Sequence, residues 1–179
     1  MRFKLFFMAY TILYYGYGKG KTTAALGLAL RAVGAGKKVI ILQFIKSRKS
    51  SEFKSIAKLA KIEIKAGGKG FYKIMGDKQP ESVHKQAAYQ TLEEAKKVLQ
   101  NPKYQVVILD EVLDTVQWKL LPEKTILDLI KSKPKSKTLV LTGHVASKAV
   151  IKLCNLVTEM KKIKHPYDQG IKAQKGIDF

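Results

Sequence analysis

Short apolar segments alternate with longer segments of helical periodicity along most of the chain. Six of the short segments are rich in β-branched and aromatic residues, which favours strands. These segments span residues 10–15, 39–44, 62–65, 106–109, 138–141 and 156–160. The periodic segments predict helices at residues 21–33, 52–60, 81–99 and 147–154, and a further helix that begins near Pro122.

This alternation predicts an α/β fold, a three-layer sandwich in which helices cover both faces of a mostly parallel six-stranded sheet. The segment 39–44 is apolar at nearly every position, as expected for a strand that is buried on both faces. Residues 1–179 are expected to form a single domain, since the sequence shows no linker and no internal repeat. Right-handed crossovers would bring the loops after the strands together at one edge of the sheet.

A glycine-rich segment at residues 16–23 joins the first predicted strand to the first predicted helix. Successive backbone N–H groups and a helix N-terminus make such a turn a cradle for phosphate groups. The segment is one residue shorter than an ordinary P-loop, so a plain strand-to-helix turn is the alternative. The candidate nucleotide-binding residues are Gly16, Tyr17, Gly18, Lys19, Gly20, Lys21, Thr22 and Thr23.

An acidic pair, Asp110 and Glu111, directly follows the apolar segment 106–109. Mg²⁺ prefers oxygen ligands and keeps several of its waters, so one of these carboxylates and the Thr22 hydroxyl could form the protein's share of its shell. The alternative is a solvated pair that caps the next helix. Residues 43–46 and 142–144 are predicted at the same edge of the sheet.

The sequence shows no nucleophile paired with a base. The three histidines, His84, His144 and His165, are far apart, and each is expected to be a surface or packing residue. A reaction at this edge would therefore rest on positioning and charge stabilisation, with the nucleophile supplied by a second substrate.

The chain carries a formal net charge of +20, and almost all of its cations are lysines. These lysines are spread along the whole sequence and are not interleaved with aromatic residues, which argues against a nucleic-acid-binding surface. Lysine enrichment is also common in heat-adapted proteins, and it attracts anionic ligands.

Cysteine content and hydropathy narrow the location of the protein. Cys154 is the single cysteine, which excludes an internal disulfide and a cysteine-rich metal site, and its apolar neighbours indicate a core residue. We read the apolar residues 1–15 as a core strand, not a signal peptide, and no segment is long enough to span a membrane. A cytoplasmic protein is expected.

Together these residues resemble the P-loop type of ATP:corrinoid adenosyltransferase over nearly the whole chain. The shortened loop and the C-terminal tail are the most specific features of the resemblance. The matching segments are residues 16–25, 31–34, 36–39, 43–46, 109–111, 121–122, 142–143, 164–168, 170, 172–174 and 176–178.

The resemblance implies a RecA-like sheet, commonly in a homodimer, that binds MgATP. In this family the Co(I) of a corrinoid attacks the 5′-carbon of ATP and triphosphate leaves, in adenosylcobalamin synthesis or salvage. By the same resemblance Thr22 and Glu111 hold the metal and act in catalysis together with Lys21. Arg31 and Lys46 are further expected contacts.

The family also closes the lower face of the corrinoid with apolar aromatic residues, which eases reduction of the cobalt. In the matching segment, residues 70–73, Phe71 matches but Lys73 stands where bacterial members commonly have tryptophan. Either Tyr72 closes the face in place of that tryptophan or the corrinoid is handled differently, and a core residue that anchors the loop is the alternative for Phe71. A reductase or flavodoxin-like protein is the electron donor that the resemblance suggests.

Two other functions are open at the level of sequence. A P-loop kinase or ATPase would cleave ATP at the γ-phosphate. A basic nucleic-acid-binding module would instead bind nucleic-acid phosphates through its lysines, and its glycine-rich loop would have no role.

Overall fold

A computed structural model describes residues 9–46, 51–56, 58–70, 72–73 and 76–177. The strands are β1 (Thr11–Tyr15), β2 (Val39–Gln43), β3 (Ile62–Ala66), β4 (Val106–Asp110), β5 (Thr138–Gly143) and β6 (Leu156–Glu159). The helices are α1 (Lys21–Gly34), α2 (Glu52–Ile56), α3 (Glu81–Gln100), α4 (Val112–Gln117), α5 (Glu123–Lys131) and α6 (Lys148–Leu153), and a 3₁₀ helix spans Pro166–Gln169.

The strands form one sheet in the order β3-β2-β4-β5-β1-β6, and every pairing in it is parallel. This confirms the predicted α/β class, and the sheet is wholly parallel where a mostly parallel one was expected. Each of the six predicted strands is present within two residues of its expected ends. The prediction of a helix at 52–60 was wrong in length, because α2 ends at Ile56, and α4 was not predicted.

The side chains of the central strands alternate between two cores, one on each face of the sheet. Ile41 and Ile108 pack with the buried alanines of α1, whereas their neighbours Leu42 and Leu109 pack against α3 and α5. Successive residues of these strands are therefore buried on opposite faces of the sheet, which explains the continuous apolar runs in the sequence. Cys154, expected in the core, is partly buried and packs against the larger of the two cores.

Strand register decides which side chains meet at the carboxyl edge. Gln43 at the end of β2 pairs with Asp110 at the end of β4, and Tyr15 at the end of β1 pairs with Gly143 at the end of β5. The loops after β1, β2, β4 and β5 consequently leave the sheet side by side. No helix in the described ranges is long and apolar enough to cross a bilayer.

Two glycines give opposite predictions for stability. Gly27 lies within α1, and a Cβ added there would have no atom within 4 Å; a Cβ on Gly143 would lie 2.6 Å from the Cβ of Leu113. Gly27→Ala should raise the free energy of unfolding by about 0.5–1 kcal/mol, because alanine loses less backbone entropy in a helix. Gly143→Ala should lower it by about 1–3 kcal/mol through overpacking.

Urea denaturation of both variants measures these changes. Equal midpoints for the two variants, or a loss of stability in Gly27→Ala, would contradict the packing described for these two positions.

Candidate nucleotide site

The loop between β1 and α1 is held closely against the end of β6. The N–H of Gly18 donates to the carbonyl of Met160 over 2.7 Å, and Gly16 and Gly20 adopt φ values of 113° and 117°. A Cβ on Gly16 or Gly18 would lie 2.4 or 2.7 Å from that same carbonyl oxygen. Glycine is thus required here both by the left-handed backbone and by the close approach of the chain.

Lys21 lies across this loop at the start of α1. Its ammonium group donates to the carbonyl oxygens of Gly16, at 2.7 Å, and Gly18, at 3.0 Å. Partial burial lowers the pKa of Lys21 from 10.5, and the carboxylates of Asp114 and Glu111 oppose that shift. The ammonium has three donors, so one remains for a ligand at the mouth of the loop.

Asp110 connects this loop to the neighbouring strands. Its carboxylate, which is 1% exposed, accepts hydrogen bonds from Thr22 over 3.0 Å and from Thr142 over 2.8 Å, both at Oδ1. Gln43 Nε2 donates to Oδ2 over 3.0 Å. Because the Thr22 hydroxyl donates its proton to Asp110, its oxygen lone pairs are left to accept or to bind a cation.

Glu111, the next residue, has a different environment. It adopts a left-handed φ of 59°, its N–H donates to Thr142 Oγ1, and its Oε1 lies 3.8 Å from the Lys46 ammonium. The other carboxylate oxygen, Oε2, is buried without a hydrogen-bond partner in the described part of the chain. Burial first, and then the nearby Asp110, raise the pKa of Glu111 to about 8. A proton or a metal cation would relieve this cost.

An open cleft of about 470 Å³ lies at the carboxyl edge of the sheet, and it is bordered by Lys21, Thr22 and Glu111. Its floor is the loop and the start of α1, one wall is α2, and residues 176–177 of the tail reach its rim. The lining residues are Lys19, Gly20, Lys21, Thr22, Thr23, Leu26, Lys46, Ser51, Glu52, Ser55, Glu111, His144, Gly176 and Ile177.

The structure brings most of the predicted site residues together but not all of them. Lys19 and Thr23 line the cleft, and Lys46 reaches it from the end of β2. Arg31 lies on the exposed last turn of α1, roughly 13 Å along the helix from Thr22 at 1.5 Å per residue. A nucleotide contact by Arg31 stays a prediction.

Of the two candidate corrinoid residues, Tyr72 is not among those that line this cleft. Phe71 lies outside the described residues. The Tyr72 ring is buried, packs 5.1 Å from the ring of His84 and 5.9 Å from that of Trp118, and its hydroxyl donates to Glu81 over 2.6 Å. Tyr72 therefore anchors its segment to the core, and direct contact with a corrinoid stays a prediction.

His84 is buried, as expected for a packing residue, but it and His144 each have a carboxylate partner that the sequence did not indicate. His84 Nε2 lies 3.0 Å from Asp77 Oδ2, and His144 Nδ1 lies 3.0 Å from Asp114 Oδ2. The second pair is 30 residues apart in sequence, and only the adjacency of α4 and β5 brings it together. The sequence placed His144 at this edge of the sheet, but it gave no indication that Asp114 would be its partner.

Known proteins resemble this chain over nearly its whole length. A model of the family described as ATP:corrinoid adenosyltransferase BtuR/CobO/CobP matches residues 8–179. A corrinoid adenosyltransferase of Escherichia coli (strain K12) is 34% identical over 168 residues, which cover 94% of this chain and 84% of that protein.

Two further relatives agree with this assignment. The corrinoid adenosyltransferase CobA of Salmonella typhimurium (strain LT2) is 33% identical, over 94% of this chain and 84% of its own length. A corrinoid adenosyltransferase of Pseudomonas aeruginosa is 33% identical over 94% of this chain and 82% of its own length. The chain therefore belongs to the ATP:corrinoid adenosyltransferase BtuR/CobO/CobP family.

Proposed function

We propose that this cleft binds MgATP and that the chain transfers the 5′-deoxyadenosyl group of ATP to the Co(I) of a corrinoid. The cobalt–carbon bond forms with the electron pair of Co(I), the bond from the 5′-carbon to oxygen breaks, and triphosphate leaves with that bond's electrons. Membership of the adenosyltransferase family supports this reaction. The observation that carries it is the short phosphate loop, with Lys21 and Thr22 directed toward one cleft.

The chain's own residues would act by positioning and by charge. The leaving triphosphate gains negative charge as the bond to the 5′-carbon breaks, so cations fixed beside it lower the barrier. Lys21 and Lys46 border the cleft and can supply this charge. No proton has to be removed from the nucleophile, because Co(I) attacks with its own electron pair.

A magnesium ion fits the arrangement of oxygen atoms at this cleft. The Thr22 hydroxyl has free lone pairs, and the buried Oε2 of Glu111 has no other partner in the described chain. The described residues contain no cluster of three or more metal-binding side chains, so the remaining ligands would be phosphate oxygens and water. We therefore propose Thr22 and Glu111 as ligands and Asp110 as the residue that orients Thr22.

The corrinoid side and the assembly are also proposals. Tyr72 is fixed in the core, so we propose that it holds the segment in which its neighbour Phe71 closes the lower face of the corrinoid. We also propose a homodimer and an electron-donating reductase or flavodoxin-like protein, which the family resemblance implies, and a cytoplasmic location, which the cysteine content and hydropathy favour.

The products of the reaction test the proposal directly. Anaerobic incubation with MgATP and a reduced corrinoid should give a cobalt–carbon bond, visible in the absorption spectrum, and one triphosphate for each bond formed. Release of ADP and phosphate would instead identify a γ-phosphate-cleaving enzyme. Lys21→Ala should lower the rate at least 100-fold, because a charge-assisted contact to the leaving group is lost.

Lys124→Ala is the matched control for that variant, since it removes an exposed lysine of α5 from the same highly charged protein. It should retain the wild-type rate. Equal losses in the two variants would show that net charge matters and that the position of Lys21 does not.

Proton release upon nucleotide binding tests the role of Glu111. With a pKa of about 8, Glu111 carries a proton in most molecules at pH 7, and metal ligation requires its removal. Calorimetry at pH 7 in two buffers of different ionisation enthalpy should therefore show close to one proton released per MgATP bound. Glu111→Gln should bind more weakly and abolish this release.

The stability of the same variant supplies a control. Between the ordinary pKa of 4.5 and the folded value near 8, the unfolded chain loses this proton while the folded chain keeps it. The free energy of unfolding of the wild type should thus fall relative to that of Glu111→Gln as pH rises from 5 to 8.

The calorimetric experiment also has an outcome that would contradict the proposal. If the wild type and Glu111→Gln release the same number of protons upon MgATP binding, Glu111 is not a metal ligand.

Cobalt reduction tests Phe71. Phe71→Ala should slow adenosylation that starts from Co(II) with a protein reductant more than adenosylation from chemically prepared Co(I), because only the first requires displacement of the lower ligand. Equal loss in both assays would contradict the proposed role. Tyr72→Phe, which removes only the hydrogen bond to Glu81, is the control for loosening of the segment.

A further inference from the structure

A histidine held by a buried aspartate lies at the edge of the cleft, on the side of β5. Asp114 is 1% exposed, and its carboxylate accepts two hydrogen bonds from His144. The backbone N–H of His144 donates to Oδ1 over 2.7 Å, and ring Nδ1 lies 3.0 Å from Oδ2. Main chain and side chain of one residue are thus fixed by a single carboxylate.

This arrangement fixes the chemistry of the ring as well as its position. A carboxylate can only accept, so Nδ1 must be the donor in this contact. The second ring nitrogen, Nε2, is left for a ligand, and it is a donor when the imidazole is protonated. The Tyr17 ring, 5.6 Å from the imidazole, restrains the ring from the loop side.

His144 is also joined to the phosphate loop itself. Its carbonyl oxygen accepts the N–H of Gly16 over 3.1 Å, at the first residue of the loop. Together with Lys21 and Thr22 it lines the cleft, and its side chain is 37% exposed there although its aspartate partner is buried. A surface histidine would not need a buried carboxylate to orient it, and a packing histidine would not be this exposed.

We propose that His144, oriented by Asp114, is a further nucleotide-binding residue whose imidazolium form donates from Nε2 to the polyphosphate. This inference rests on the proposed function only in naming ATP as the ligand. The alternative is that the pair merely ties β5 to α4.

Electrostatics separates these two explanations by the sign of one effect. Asp114 is among the carboxylates whose charge acts on Lys21, so it also repels an anion bound there. If Asp114 were only a nearby charge or a structural tie, Asp114→Asn would tighten anion binding or leave it unchanged. If it orients His144, the same variant should weaken binding despite the lost repulsion.

The experiment measures dissociation constants by calorimetry for MgATP and for inorganic triphosphate. His144→Ala should raise the dissociation constants of both ligands roughly tenfold or more, which is the loss expected for a hydrogen bond to a charged group. Asp114→Asn should also weaken both, by less. In the His144→Ala background, Asp114→Asn should cause no further weakening, because no ring remains to be oriented.

Several results would overturn the inference. Unchanged binding of both ligands in His144→Ala would do so, as would tighter binding in Asp114→Asn alone. Weaker binding of MgATP with unchanged binding of triphosphate would show that His144 contacts the nucleoside and not the phosphates. Urea denaturation checks that each variant folds. If His144→Ala does not fold, His144→Gln takes its place; it keeps a side-chain amide donor and should bind both ligands more weakly than the wild type but retain part of the affinity.

Failure of the proposed function would look different. A wild-type protein that binds MgATP but forms no cobalt–carbon bond would refute the adenosyl transfer and leave the binding test of His144 intact. A wild-type protein that binds neither ligand would refute both.

Discussion

The buried carboxylate of Asp110 is the interaction on which the rest of the site depends. It accepts hydrogen bonds from α1, β2 and β5, through Thr22, Gln43 and Thr142 respectively. A carboxylate with 1% exposure is tolerated in a protein interior only when its oxygens are hydrogen-bonded in this way. These contacts fix the start of α1 relative to the ends of the strands, and they direct the lone pairs of Thr22 away from Asp110.

The same carboxylate shapes the chemistry of its neighbour. Glu111 is largely buried beside the carboxylate of Asp110, so its own ionisation is disfavoured and its pKa rises to about 8. Two adjacent acids thereby differ in role: one is a permanent acceptor within the structure, and the other is available to a proton or a cation. Their difference lies in hydrogen bonding, because Asp110 accepts from three elements whereas Oε2 of Glu111 has no partner among the described residues.

Much of the fold could be predicted from the sequence because its determinants are local. The apolar runs at 39–44 and 106–109 indicate strands buried on both faces, and the glycines at 16 and 18 indicate a turn that admits no Cβ. Helix α4 was not predicted because it begins directly after the left-handed Glu111, without the side-chain cap that marks a helix start in sequence. Membership of the adenosyltransferase family agrees with the resemblance that the loop and tail indicated.

The site could be predicted only in part, because several of its contacts are long-range. Sequence placed Asp110 and Glu111 at the right edge but could not say which acid is saturated, since that depends on Gln43 and Thr142 from two other strands. The Asp114–His144 pair is a tertiary contact without a motif. Tyr72 was expected as a corrinoid contact from the family resemblance alone, which could not indicate that its ring packs against His84 and Trp118.

In the proposed complex the short loop holds the polyphosphate so that the 5′-carbon of the nucleotide faces outward. A crystal structure with MgATP bound would show the position of this carbon. We expect phosphates on the loop N–H groups, a metal ion between Thr22 and Glu111, and the 5′-carbon opening onto a space wide enough for a tetrapyrrole. A 5′-carbon enclosed by protein, with only the γ-phosphate open to a second substrate, would contradict it.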